Sequence, residues 1–167
     1  PILGVLVSAL FTGIEQSSSV TVGLVQALGA QKLIDLNAAF ALIIGANIGT
    51  TVTALIASIG TNIQAKRAAI SHLLFNIIGA IIFLIIFKPY LSLISNTSSD
   101  LVRQIANAHT FFNILCTAAI LPFTNQFVKL VKKLVPGEET IIETGTKFID
   151  KRLLKIPSFA LDALKKE

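Results

Sequence analysis

The sequence predicts an all-α membrane protein. It reads as a re-entrant helical hairpin, a discontinuous transmembrane helix, two further spans and then cytosolic amphipathic helices. Three observations carry this reading. Of 167 residues, 53% are hydrophobic and 14% charged, against about 25% charged in a soluble domain. Mean hydropathy is +0.78. The charges are also unevenly placed: residues 1–128 hold five basic and three acidic groups, and residues 129–167 hold nine and six. An apolar body is thus followed by a charged, water-facing tail. This excludes a disordered chain and argues against a soluble globular enzyme. No Met is present, which reads as a fragment or a processed chain. The single cysteine, Cys116, permits no intramolecular disulfide and no cysteine metal cluster, and reads as a buried free thiol.

The first element is two short apolar runs, Pro1 to Ile14 and Val20 to Ala30, separated by Glu15-Gln16-Ser17-Ser18-Ser19. Each is too short to cross about 30 Å of hydrocarbon at about 1.5 Å per residue. Two short helices with a polar tip fit a hairpin that returns to the surface it entered, marked by Lys32 and Asp35. The alternative is one spanning helix with an internal serine patch. Leu36 to Ala65 is next and carries no charge. Gly45-Ala46-Asn47-Ile48-Gly49-Thr50-Thr51 sits in its middle, where glycine, Asn and Thr weaken helical continuity. This predicts a broken helix, 36–46 then 50–60. Gly45 and Gly49 also stand at G-x-x-x-G spacing, a helix-packing signal compatible with the break.

Lys66-Arg67 forms a charged border, and Ala68 to Phe87 is a 20-residue uncharged stretch ending at Lys88-Pro89. Leu91 to Asp100 is a short loop. Leu101 to Leu121 is another span, interrupted by Pro122, and 123–134 is an apolar-to-basic exit with Lys129, Lys132 and Lys133. The positive-inside rule puts Lys66-Arg67 and Lys129–Lys133 in the cytoplasm, so the chain reads as a multi-pass protein of the plasma (inner) membrane with a cytoplasmic C-terminal tail. Beyond Pro136-Gly137, Glu138 and Glu139 suit a helix start, and Ile141, Ile142, Phe148, Ile149, Leu153 and Leu154 give an apolar face. Pro157 ends it, and Phe159 to Leu164 starts another amphipathic helix. No aromatic–basic interleaving of a nucleic-acid binder is present.

Two internal echoes stand out. Ser18-Ser19-Val20-Thr21 and Thr50-Thr51-Val52-Thr53 share a hydroxyl-hydroxyl-Val-Thr pattern, each preceded by an amide residue, Gln16 or Asn47. His72 to Asn76 and His109 to Asn113 both read H-x-x-F-N. The first echo places similar polar clusters at the hairpin tip and at the helix break. Helix starts at such breaks offer free backbone N–H groups to anions. Ser and Thr hydroxyls and the amides of Gln16 and Asn47 can serve an anion or a cation. Exposed carbonyls of the preceding half-helices suit Na⁺. The bland alternative is that the serines and threonines only join helices. His72 and His109 could hold a metal as a pair, but packing histidines are the better reading, and Asn76 and Asn113 fit interhelical hydrogen bonds. Arg103 reads as snorkelling. Glu15 is an acid at membrane depth and would repel an anion unless it faces water or is protonated. No phosphate-binding G-x-x-x-x-G-K-[ST] loop, H-E-x-x-H or G-x-S-x-G is present, and the serines lack a neighbouring base, which disfavours hydrolysis.

Gln16-Ser17-Ser18-Ser19 together with Gly45 to Thr53 resembles the sodium–phosphate cotransporter family, type II and its bacterial relatives. Lys66 to Asn76, Ala108 to Asn113 and Leu121-Pro122-Phe123 look like the segments that come after the second repeat in bacterial members. The tail from about 136 looks like the start of a phosphate-uptake-regulator-type helical domain. The resemblance implies one half of an inverted-repeat transporter, with a transmembrane transport domain over 1–135 and the start of a cytosolic regulatory domain over 136–167. It implies sodium-coupled symport of inorganic phosphate, no enzymatic activity and no cofactor beyond Na⁺ as coupling ion. Gln16, Ser17, Ser18, Ser19, Asn47, Thr50 and Thr51 become the substrate and ion candidates, with Na⁺ at Gln16, Ser18, Asn47 and Thr50 and no other metal. The partners are phosphate, Na⁺, the lipid bilayer and a missing first repeat or second copy, and not nucleic acid. Glu15 departs from the family's apolar residue. A membrane scaffold that regulates phosphate uptake is the alternative function. An intramembrane serine enzyme is a third and weaker one.

Overall fold

Half-length helices come first because the sequence places a polar stop after each apolar run. The computed structural model describes residues 1–138 together with Leu161 and Lys165. The expected helices of the 136–167 region therefore lie almost wholly outside the described residues. Helix α1 spans Ile2–Glu15 and α2 spans Ser18–Ala30. Gln16 takes the left-handed conformation (φ 61°) and its N–H returns to the Thr12 carbonyl. Ser17 is extended and caps α2, its Oγ accepting from the Val20 N–H at 3.4 Å. A left-handed residue followed by a helix cap reverses the chain in two residues. The hydroxyls of Thr12 and Thr21 meet at 2.8 Å just inside the tip. The two short helices joined at a polar tip are as expected.

Helix α3 (Leu36–Ala57) starts on Asp35, whose carboxylate accepts from the Ala38 N–H at 2.8 Å. It corrects the expectation of a discontinuous helix, because it runs unbroken through Gly45 to Thr51. The reason is tertiary. The two glycines let the backbone of α1 lie directly against α3. A Cβ on Gly49 would come 2.5 Å from the Ala9 carbonyl oxygen, and one on Gly45 would overlap the Val5 carbonyl oxygen. The hydroxyls that threatened the helix are turned onto its own backbone: Thr50 donates to Ala46 O at 2.9 Å and Thr51 to Ile48 O at 2.7 Å. Packing thus overrides a modest local propensity, which amounts to about 1 kcal/mol per glycine. Gly4 faces Ala41, Gly45 faces Val5 and Ser8, and Gly13 faces Val52. The contacts advance together along both helices, so α1 and α3 are parallel neighbours. Ser8 fastens the pair by donating to the Leu42 carbonyl at 2.6 Å.

Helix α4 (Ile63–Ile85) is capped by Asn62, and α5 (Phe87–Ser95) begins almost at once. The segment expected as a loop over 91–100 is therefore helical as far as Ser95. Pro89 falls in the first turn of α5, where a missing N–H costs nothing. Helix α6 (Leu101–Ile120) is capped by the Asp100 carboxylate. Pro122 lies in a single 3₁₀ turn, Leu121–Phe123, and the basic amphipathic helix α7 (Thr124–Leu134) leaves from it. Arg67 near the start of α4 donates to the carbonyls of Val135 (3.1 Å) and Gly137 (2.9 Å), tying the end of α7 to α4.

The core lies where α3, α4, α5 and α6 converge. Phe40 packs on Phe83, Phe87, Tyr90 and Phe112, with ring centroids 4.6–6.4 Å apart. Tyr90 satisfies its buried hydroxyl by donating to the Ala108 carbonyl at 2.7 Å. Gly79 admits Cys116, which is a buried free thiol as expected. Three stretches are long and apolar enough to cross a membrane: Leu36–Ala57, Ile63–Ile85 and Leu101–Leu134. The outer side of α1, with Leu3, Leu10 and Ile14 about three-quarters exposed at 75%, 69% and 76%, presents apolar side chains outward.

Candidate functional site

A polar cavity of about 290 Å³ opens between the start of α2, the middle of α3, and helices α4 and α6. Ser18 enters from the first turn of α2, and Asn47 and Thr50 from one side of α3. The two H-x-x-F-N segments close it: His72, Phe75 and Asn76 from α4, and His109 and Asn113 from α6. The cavity's lining residues include no Asp, Glu, Lys or Arg. Its polar groups are neutral amides, hydroxyls and imidazoles.

The hydrogen bonds within this wall are unevenly completed. Thr50 has used its hydroxyl hydrogen on Ala46 O, so only its lone pairs face outward. Asn76 and Asn113 repeat one arrangement on two helices. Each ties its Nδ2 back to the carbonyl four residues earlier, His72 O and His109 O, both at 2.9 Å. Asn47 differs. It is 7% exposed, and its Nδ2 is the one buried side-chain nitrogen or oxygen without a partner among the described residues. A buried, unpaired amide costs about 1–3 kcal/mol. Such a group in a native fold is met by an ordered water, an ion or a ligand.

Of the sequence-predicted site residues, the structure brings Ser18, Asn47 and Thr50 together. It does not bring the others into the cavity wall. Gln16 is the exposed left-handed residue of the tip, Ser17 is occupied as a helix cap, Ser19 is exposed, and Thr51 is buried with its hydroxyl on Ile48 O. Glu15 is exposed at the end of α1 and away from the cavity wall. His72, Asn76, His109 and Asn113 read as packing residues in the sequence, yet all four line the cavity. The signal is their repetition: two H-x-x-F-N segments put a histidine and an amide one helical turn apart, on the same face of each helix.

The described residues thus define a helical membrane protein with a small, open polar site, free of charged lining residues, among its helices. The sequence model of the Na⁺/Pi-cotransporter family matches residues 1–120. The chain belongs to that family. It is 31% identical to "Uncharacterized protein YqeW" of Bacillus subtilis over 80% of this chain and 43% of that protein. It is 30% identical to "Putative inorganic phosphate export protein YjbB" of Escherichia coli (strain K12), over 96% of this chain and 30% of the relative. It is 29% identical to the human "Sodium-dependent phosphate transport protein 2B", over 93% and 23%. The chain therefore spans less than half the length of these relatives. No solved structure matches it.

Proposed function

We propose that this chain supplies half of the transport domain of a sodium-coupled inorganic phosphate symporter, with the anion held in the cavity lined by Ser18, Asn47 and Thr50, where Ser18 and Asn47 supply the donors. The observation that carries the reading is the unpartnered, buried amide of Asn47 in a wall otherwise built of neutral donors and acceptors. The start of α2 adds to it. Helix N-terminal amides and the dipole favour a negative charge, and Ser18 sits on the first turn with a hydroxyl that makes no hydrogen bond among the described residues. With α3 continuous, this single helix start replaces the pair of breaks expected from the sequence. Neutral donors suit a carrier, because an anion bound without a fixed counter-charge can also leave. Na⁺ then offsets the anion's charge in transit. The names of the human and E. coli relatives both specify phosphate, one as sodium-dependent transport and the other as export, which supports the cargo more directly than the direction. The inner-membrane location, the cytoplasmic tail, the re-entrant character of the α1–α2 hairpin and the need for a second repeat belong to the same proposal.

The test is ³²P-phosphate flux in proteoliposomes holding the full-length protein that carries this chain, with Na⁺ or K⁺ as the driving cation. Wild type is expected to move phosphate with Na⁺ only. Asn47→Leu is expected to lose flux by about tenfold or more, the scale of one charge-assisted hydrogen bond. Its thermal stability should be held or raised, because an unsatisfied buried amide has been removed. Flux in Na⁺ unchanged by Asn47→Leu would place the anion elsewhere. No flux in folded wild type would favour the scaffold reading.

A further inference from the structure

We propose that the two H-x-x-F-N segments form a monovalent-cation subsite, with Asn76 Oδ1 and Asn113 Oδ1 as its paired ligands and Thr50 Oγ1 as a third. The inference deepens the transport reading and rests on it only for the identity of the cargo. Of the Na⁺ candidates Gln16, Ser18, Asn47 and Thr50 expected from the sequence, it keeps Thr50 and replaces the others with Asn76 and Asn113.

An amide that hydrogen-bonds to a backbone carbonyl must do so through its nitrogen, because only that end donates. Asn76 and Asn113 are both held in this way, to His72 O and His109 O. Their orientation is therefore fixed by the fold, and the oxygen is the end left over. Neither oxygen accepts a hydrogen bond among the described residues, and neither is sealed away from accessible space. Both residues line the cavity. Two residues whose amide oxygens are oriented and unengaged thus line one small space from two different helices.

Thr50 adds an oxygen of the same sense. Its hydrogen is engaged with Ala46 O, so toward the cavity it can only accept. Three hydrogen-bond acceptors without hydrogens of their own are a poor surface for an anion and a good one for a hard cation, which takes oxygen ligands. The lining carries no carboxylate, and carboxylate count is what raises affinity for divalent ions. A singly charged ion such as Na⁺ fits this neutral set. The remaining groups divide the other way. Ser18 has a hydroxyl without a partner among the described residues, and neither end of the Asn47 amide is held by them, its buried Nδ2 reaching the cavity when the amide turns over. These two can turn a donor toward an anion. The cavity is therefore divided between fixed acceptors, Asn76 and Asn113 on α4 and α6 with Thr50 on α3, and adaptable groups, Ser18 and Asn47 on α2 and α3.

Placing cation and anion in one cavity of about 290 Å³ makes each the other's counter-charge. By linkage, whatever factor Na⁺ adds to phosphate affinity, phosphate adds to Na⁺ affinity. Coupling then needs no separate wire between distant sites.

The test is ²²Na⁺ binding to the purified full-length protein in phosphate-free buffer, followed by phosphate binding at saturating Na⁺. Asn76→Ala and Asn113→Ala are each expected to weaken Na⁺ binding about tenfold, as expected for one lost charge-assisted contact, with phosphate affinity at saturating Na⁺ changed far less. Asn76→Asp and Asn113→Asp keep the shape and add a charge. They should tighten Na⁺ and weaken phosphate. A purely structural role predicts the reverse order, with Asp disturbing the buried wall and Na⁺ affinity unmoved. Unchanged Na⁺ binding in folded alanine variants overturns the inference, as does wild type that binds no Na⁺. Should the alanine variants fail to fold, the aspartate variants decide alone: tighter Na⁺ sustains it and unchanged Na⁺ overturns it. If Na⁺ binds through these residues but phosphate does not bind at all, the cation site stands and only the transport reading falls.

Discussion

Two sides of α3 show how one helix serves opposite needs. On the side toward α1, Gly45 and Gly49 remove side chains so that two backbones touch, and Ser8 closes the contact with a hydrogen bond to Leu42 O. On the side toward the cavity, two and one residues away, Asn47 and Thr50 leave polar capacity unused. The first side is complete and the second is not. Within lipid, helices gain no hydrophobic driving force from meeting, so close van der Waals approach must hold them. The glycine side supplies that rigidity, and the cavity side uses it to keep an unsatisfied amide from collapsing onto its neighbours.

Substitutions along α3 separate the two sides, and the most damaging lies in the core. Phe40→Ala removes the ring at the centre of the aromatic cluster, where Phe40 is fully buried. Loss of about 3–5 kcal/mol is expected, read as a lowered unfolding midpoint in detergent. Gly49→Val is next. Its Cβ would meet the Ala9 carbonyl and Thr12, neither of which can yield cheaply. Overpacking of about 1–3 kcal/mol should result, whereas Gly23→Val, where nothing lies within 4 Å, should cost little beyond propensity. Equal effects at the two glycines would sink the close-approach account. The smallest effect belongs to Asp35→Ala, which removes the cap of α3 at a cost of about 1 kcal/mol. That cap also has a pH signature. Hydrogen bonds from the Ala38 N–H and the Asn37 amide hold the Asp35 carboxyl below its ordinary 3.8. The folded state thus binds this proton less readily than the unfolded one. The contribution is full above the ordinary value and is lost as the pH falls through the lower folded one. A midpoint in Asp35→Ala that drops as steeply with acid as wild type would remove Asp35 from that account.

Much of this architecture is legible in the sequence because hydrophobic length and charge borders act locally. The half-length runs before and after Glu15–Ser19, the span beginning at Leu101 and the interruption at Pro122 all come from such signals. The hairpin tip is readable for the same reason, since Gln16 and Ser17 are a left-handed stop and a cap. The supposed break in α3 is not a local matter. Gly45, Asn47 and Gly49 weaken a helix in isolation, but here their small or polar side chains answer to α1 on one side and the cavity on the other. The candidate site is half legible. Ser18, Asn47 and Thr50 stand out through their hydroxyl and amide chemistry. His72, Asn76, His109 and Asn113 do not, because each residue taken singly looks like packing, and only the shared spacing on two helices shows a common wall. Gln16, Ser17, Ser19 and Thr51 belong to the motifs but not to the cavity wall, since motif membership does not say which way a side chain turns.

The parallel pairing of α1 and α3 bears on how the chain comes together during synthesis. Neighbours in space are here separated by the whole of α2, with the Ser8–Leu42 bond closing a gap of 34 residues. The surface of α1 that meets Gly45 and Gly49 packs on a helix made later in the chain. Its Val5 and Ala9 carbonyls and Gly13 meet Gly45, Gly49 and Val52 once α3 is in place. The α1–α3 contact therefore forms only once α3 is made, as a non-local pairing across the whole of α2.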